Sequence, residues 1–194
     1  MHEILIQADP EPIKIDVSKT AVIVVDMQNA FFGRGGYFDL LGYDVSAAQK
    51  IIESCKDIIH LARQKGTRII FLQMDSALTC LIAEAQIHPS GTTRERPELK
   101  DKLQVYGTWG ADIIDELKPQ QGGKVIRNQK HDGFIGTNLD IILKTYDIRY
   151  LLFIGTATNT VFESTLMHSF FLDYFPNFVC DTARQKGVPM WGEC

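Results

Sequence analysis

Arg149-Tyr150-Leu151-Leu152-Phe153-Ile154-Gly155-Thr156-Ala157-Thr158-Asn159-Thr160-Val161-Phe162-Glu163-Ser164-Thr165 reads as a buried strand turning sharply into a helix, the place where an α/β protein sets its chemistry. Residues 150–154 are continuously apolar without alternation, which suits a strand covered on both faces, and Gly155 ends the run where the backbone must turn. Thr156, Thr158 and Asn159 offer N-cap oxygens, so the free N–H groups of the following helix form a site for an anion or a developing oxyanion. A nucleophile belongs in the first turn of that helix. Val161 stands there and carries no reactive group.

The same pattern recurs on either side. Residues 20–25 are a β-branched apolar run ending at Asp26, and a carboxylate at the end of a central parallel strand costs desolvation but is well placed for catalysis. Its competing reading is an aspartate that caps a helix or ties a loop. Residues 67–72, 124–127 and 178–180 are further strands. Ser46 and Gln49 form a capping box for a helix whose apolar positions Ile51, Ile52, Cys55, Ile58, Ile59 and Ala62 fall three or four apart, and Gly66 stops it. Helices are also expected over residues 109–117, after the capping pair Thr137 and Asp140, and over 160–174. Strands alternating with helices predict an α/β fold with an open, doubly wound, mostly parallel sheet of about five strands. In such sheets the ligand sits at the carboxyl ends of the strands, where strand order reverses, which gathers Asp26, the loop 128–136 and the turn 155–161 around one crevice.

Three stretches lack a regular pattern. Residues 1–19, with Pro10 and Pro12, suit an extended arm. Residues 27–43 form a loop rich in glycine and aromatics that either lines a pocket or plugs one end of the core. Residues 73–105, weakly helical over 78–85, are a candidate lid.

At 194 residues, 45% hydrophobic and 23% charged, the chain is long enough for one sizeable core and short for two, so a single domain is expected. A formal net charge of −4 argues against a nucleic-acid or membrane-surface binder and favours small molecules or protein partners. The N-terminus lacks a signal-peptide pattern, and no apolar run approaches the roughly 20 residues that span a bilayer, so a cytoplasmic protein is expected. Cys55, Cys80, Cys180 and Cys194 show neither a C-x-x-C pair nor zinc spacing and read as free thiols.

Val22-Ile23-Val24-Val25-Asp26-Met27-Gln28-Asn29, Gly133-Phe134 with Thr137-Asn138-Leu139-Asp140, and Gly155-Thr156-Ala157-Thr158-Asn159 with Glu163-Ser164-Thr165 resemble the isochorismatase-like cysteine hydrolases. Gly35-Gly36-Tyr37, Gly42-Tyr43-Asp44-Val45-Ser46 and Arg96-Pro97-Glu98-Leu99-Lys100 echo the ureidoacrylate amidohydrolase subgroup, as do Asp115-Glu116-Leu117 and Phe170-Phe171-Leu172-Asp173-Tyr174-Phe175. The resemblance implies a Rossmann-like three-layer sandwich, commonly a homo-oligomer, that hydrolyses amides, ureas or related C–N bonds without a cofactor. It also implies a longer C-terminus, with a helix that residues 188–193 do not match. The Asp-x-His-x-x-His metal arrangement of the nicotinamidase branch is absent from the sequence, so no catalytic metal is expected.

In that family a thiolate attacks the carbonyl, an Asp relays its proton and a Lys lowers the thiol pKa. Asp26 matches the Asp, but the Cys position after Ala-Thr-Asn-x is Val161, and the Lys position six residues before Phe134 is Asn128. Lys130 is a candidate substitute for the lysine, with a solvated loop lysine as the alternative. His131 reads as surface or packing, and Cys80 supplies a thiolate only if its loop folds inward. Substrate-binding candidates are Gln28, Phe32 and Tyr37 on the first loop and Thr156, Ala157 and Thr160 on the turn. Three functions are therefore in view: an amide hydrolase with its covalent chemistry disabled, a non-covalent vinyl-ether hydrolase using Asp26 as acid, and a non-enzymatic binding or scaffold protein.

Overall fold

A computed structural model describes residues 3–46, 48–75, 102–120, 123–156 and 158–184. The N-terminal segment differs from the expected extended arm: β1 (Glu3–Ile6) and β2 (Ile13–Asp16) pair antiparallel. The register sets Ile4 opposite Ile15 and Ile6 opposite Ile13, and folding back buries Ile15 and Val17. Apolar residues on both sides of the two prolines make a hairpin worth more than a solvated arm.

The main sheet contains β3 (Thr20–Val25), β4 (Arg68–Met74), β5 (Lys124–Asn128), β6 (Tyr150–Thr156) and β7 (Phe175–Arg184) in the order β5-β4-β3-β6-β7. Every neighbouring pair is parallel. Among the described residues the α-helical elements are α1 (Asn29–Phe32), α2 (Tyr37–Leu40), α3 (Ala48–Lys65), α4 (Leu139–Thr145) and α5 (Glu163–Phe171).

Successive residues of β3 point to opposite faces and divide the core into two clusters. Ala21, Ile23 and Val25 pack with Leu139, Leu143, Val161, Phe162 and Tyr174 on one side. Val22 and Val24 pack on the other with Ile51, Ile52, Cys55, Ile59 and Ala62 of α3. All six residues of β3 are buried, which explains its lack of alternation: this is the middle layer of a three-layer α/β sandwich. Gly66 ends α3 at φ +70, and the Thr67 N–H donates to the Ala62 carbonyl at 2.9 Å. Among the described residues no helix is long and apolar enough to cross a membrane.

Several boundaries differ from the sequence expectation. Residues 27–43 are a loop holding two helical turns, α1 and α2. Residues 109–117 are two 3₁₀ turns, Trp109–Ala111 and Asp115–Leu117, instead of one helix. Between them the backbone bonds across the chain: the Asn29 N–H donates to the Asp112 carbonyl and the Ile114 N–H to the Met27 carbonyl, with Gln28 bridged to Ile113. Those long-range bonds consume the groups that an i→i−4 ladder would use. The segment expected as a helix over 160–174 winds first as a π turn, Thr158–Phe162, and only then as α5. The final strand begins at Phe175, three residues earlier than expected, because Phe175 pairs with Tyr150. Most of the candidate lid, including residues 78–85 and Cys80, lies outside the described residues, as do residues 185–194.

Candidate functional site

The chain builds outward from β3 to β4 and β5, then returns to the other side of β3 for β6 and β7. Strand order therefore reverses between β3 and β6, where Val25 pairs with Gly155. Asp26 leaves β3 at this point with φ 50, a left-handed conformation that Asp tolerates better than most residues. Its side chain is 2% exposed, and its Oδ1 has no hydrogen-bond partner among the described residues. Burial raises its pKa well above the usual carboxylate range, partly offset by the backbone N–H of Met74. Asp26 is thus a buried acid that tends to hold its proton.

Asn128 closes β5 directly opposite Met74 and is fully buried. Its Nδ2 donates to the Lys130 carbonyl at 3.2 Å, and its Oδ1 has no partner. Lys130 follows on the loop with a half-buried side chain, and His131 is exposed. Asp75, just past the end of β4, was not singled out by the sequence reading. It is 2% exposed, its N–H donates to the Asn128 carbonyl at 3.0 Å, and its Oδ1 accepts from the Tyr106 N–H at 3.3 Å. The signal was present: Asp75 closes the apolar run of β4 as Asp26 closes that of β3.

On the far side, Val161 lies in the π turn, 3% exposed and packed into the apolar cluster against β3. Thr165 locks this turn to the loop after β5: its Oγ1 donates to the Val161 carbonyl at 2.5 Å and accepts from the Gly133 N–H at 2.9 Å. A second tie joins His168 Nδ1 and Asp132 Oδ2 at 2.7 Å. The expected threonine caps are not what starts the α-helix, because α5 begins after Phe162 with no side-chain cap. Thr156 is buried at the end of β6, Thr160 is exposed, and Ala157 lies outside the described residues.

The first-loop candidates are brought close by a different device. Gln28 is fully buried, and its Nε2 donates to the Met74 and Ala111 carbonyls at 3.0 and 2.8 Å while its Oε1 accepts from the Met74 N–H at 2.9 Å. Its amide is spent on holding the end of β4. Phe32 and Tyr37 are buried in separate apolar clusters beside this loop. Cys55 belongs to the core face of α3, where burial pushes its thiol up to about 12, too high for a nucleophile. No group of three or more His, Cys, Asp or Glu side chains among the described residues converges as metal ligands would.

The isochorismatase domain family matches residues 20–186. The ureidoacrylate amidohydrolase RutB of Caulobacter segnis is 39% identical over 191 residues, covering 95% of this chain and 80% of that protein. That of Pantoea ananatis is 42% identical over 193 residues, covering 96% and 77%. In fold, a cysteine hydrolase from Pseudomonas syringae pv. phaseolicola superposes with a TM-score of 0.71 at 22% identity, over 99% of this chain and 82% of that one. The N-carbamoylsarcosine amidase of Thermoplasma acidophilum gives 0.68 at 22% identity, over 88% and 87%. The domain match, the two curated relatives and the five-stranded parallel sheet agree: the chain belongs to the isochorismatase family.

Proposed function

We propose that this protein has the crevice of a ureidoacrylate-type amide hydrolase in which covalent C–N bond hydrolysis is disabled. The observation that carries this reading is the burial of Val161 in the core at the position where the family resemblance puts the attacking sulfur. Valine has no lone pair to add to a carbonyl, and no acyl intermediate forms without one. Asn128 compounds the loss, since a neutral amide replaces the cation that would stabilise a thiolate. Asp26 is the surviving member. Its raised pKa favours a second reading, in which it protonates a vinyl ether as isochorismatases of this superfamily do. Isochorismate turnover that stops in Asp26→Asn would mark that alternative.

Restoration tests the first reading. The double variant Val161→Cys with Asn128→Lys is expected to gain thiol-dependent release of ammonia from ureidoacrylate, by about 10²-fold or more over the parent, the scale of a general-base or nucleophile contribution. The gain should vanish after alkylation with iodoacetamide. A restored variant that stays folded, takes up iodoacetamide at position 161 and still releases nothing would overturn the assignment to this hydrolase type.

A further inference from the structure

We propose that the crevice takes a small organic cation rich in N–H donors, such as a protonated amine, amidinium or guanidinium, with the side-chain oxygens of Asp26, Asp75 and Asn128 as its acceptors. The assignment rests on the reading of this crevice as one without a thiolate. The three residues stand at the carboxyl ends of adjacent strands β3, β4 and β5 and are tied around one backbone position. The Asp26 N–H bonds the Leu72 carbonyl of β4 at 3.1 Å, Met74 faces Asn128 across the β4–β5 ladder, and the next N–H, that of Asp75, bonds the Asn128 carbonyl at 3.0 Å.

Two of these groups carry a buried oxygen with no partner, Asp26 Oδ1 and Asn128 Oδ1. The orientation of the Asn128 amide follows from its Nδ2 bond to the Lys130 carbonyl, which leaves the oxygen as the available end. Gln28 cannot answer either acceptor, because its Nε2 is already bonded to Met74 and Ala111. These two oxygens are therefore short of donors. A carboxylate ligand would set oxygen against oxygen. A neutral amide would supply N–H groups but leave Asp26 protonated, whereas a cation makes charge-assisted bonds and stabilises the ionised carboxyl that burial alone disfavours.

Among the described residues, the titratable groups on the surrounding elements include Asp75 after β4, Tyr106 and Asp112 around the 3₁₀ turns, and Lys130, His131 and Asp132 on the loop after β5. Burial is the main cause that raises the pKa of Asp26. Binding a cation then releases the Asp26 proton to solvent, so affinity rises with pH until the free protein has itself lost that proton.

Calorimetric titration of the wild-type chain with methylguanidinium chloride tests this, with N-methylurea, sodium acetate and magnesium chloride in parallel over a pH series from about 4 to about 8. Methylguanidinium is expected to bind at least about tenfold more tightly than N-methylurea, more tightly at higher pH, and with a heat that depends on the buffer because a proton leaves. Asp26→Asn should lose about tenfold or more of that affinity, and asparagine accepts the positive φ at this position, which a thermal unfolding scan of the variant would verify. Equal or tighter binding of N-methylurea, binding of acetate or magnesium alone, affinity independent of pH, or no binding of any probe would overturn the proposal. No turnover enters these titrations. Their failure leaves the disabled-hydrolase reading standing, and hydrolysis by the parent chain would overturn that reading without touching the binding result.

Discussion

Gly155→Ala is expected to cost about 3–5 kcal/mol of folding stability, a large fraction of what a domain of this size holds. Gly155 has φ +118, and an added Cβ would fall onto the Val25 carbonyl oxygen, with the Val25 nitrogen at 2.9 Å and its carbonyl carbon at 3.0 Å. Val25 and Gly155 are the last paired residues of β3 and β6, so neither backbone yields without opening the crevice. In thermal unfolding the loss would appear as a melting temperature lower by roughly 10 °C. Gly136→Ala separates backbone strain from collision: Gly136 has φ +72 but nothing within 4 Å of the added carbon, and the change should cost only about 1–2 kcal/mol. Equal effects at the two glycines would contradict the close approach at the switch point.

The second large effect concerns the proton on Asp26. Its folded pKa is raised above the unfolded value by burial, so the native state binds a proton that the unfolded chain has already lost. Stability from this group is fully present below the unfolded pKa of about 3.9 and is lost as pH rises toward the folded pKa, at a slope of about 1.4 kcal/mol per pH unit. Asp26→Asn cannot ionise. The variant should therefore become progressively more stable than the parent between about pH 4 and the folded pKa, with a constant gap above it. Urea unfolding of both proteins across that range measures the difference, and subtraction removes what the two chains share. A gap that is constant from acid to neutral pH would mean that Asp26 ionises normally.

The sheet was largely legible in the sequence because its three central strands, β3, β4 and β6, are largely buried. The runs ending at Val25, Met74 and Thr156 are nearly all apolar, and no tertiary detail is needed to recognise them. What the sequence concealed is set by contacts distant along the chain. The bonds from residues 27 and 29 to residues 112 and 114 turn an apparent helix into two 3₁₀ turns. Pairing of Ile4 with Ile15 folds the N-terminal arm into a hairpin, and neither arrangement has a local periodicity. Asp26 lies just past the end of β3, Asn128 ends β5 and Val161 lies in the π turn after β6. The role of Gln28 was not legible, because a glutamine spent on backbone groups and one facing a ligand look alike in sequence. Asp75 was legible in principle, as an acid closing an apolar run, yet it sits at the head of a segment without regular pattern and was passed over.

The loss of covalent chemistry is best tested on the unaltered protein, at high concentration with ureidoacrylate, by following ammonia release and the intact mass of the chain. The expected result is no release above the buffer blank, no mass adduct, and identical traces for the parent and Asp26→Asn. Enzyme-dependent ammonia release that disappears in Asp26→Asn would show that the crevice still hydrolyses C–N bonds without a residue-161 sulfur, and would contradict the reading of Val161 as the break in the mechanism.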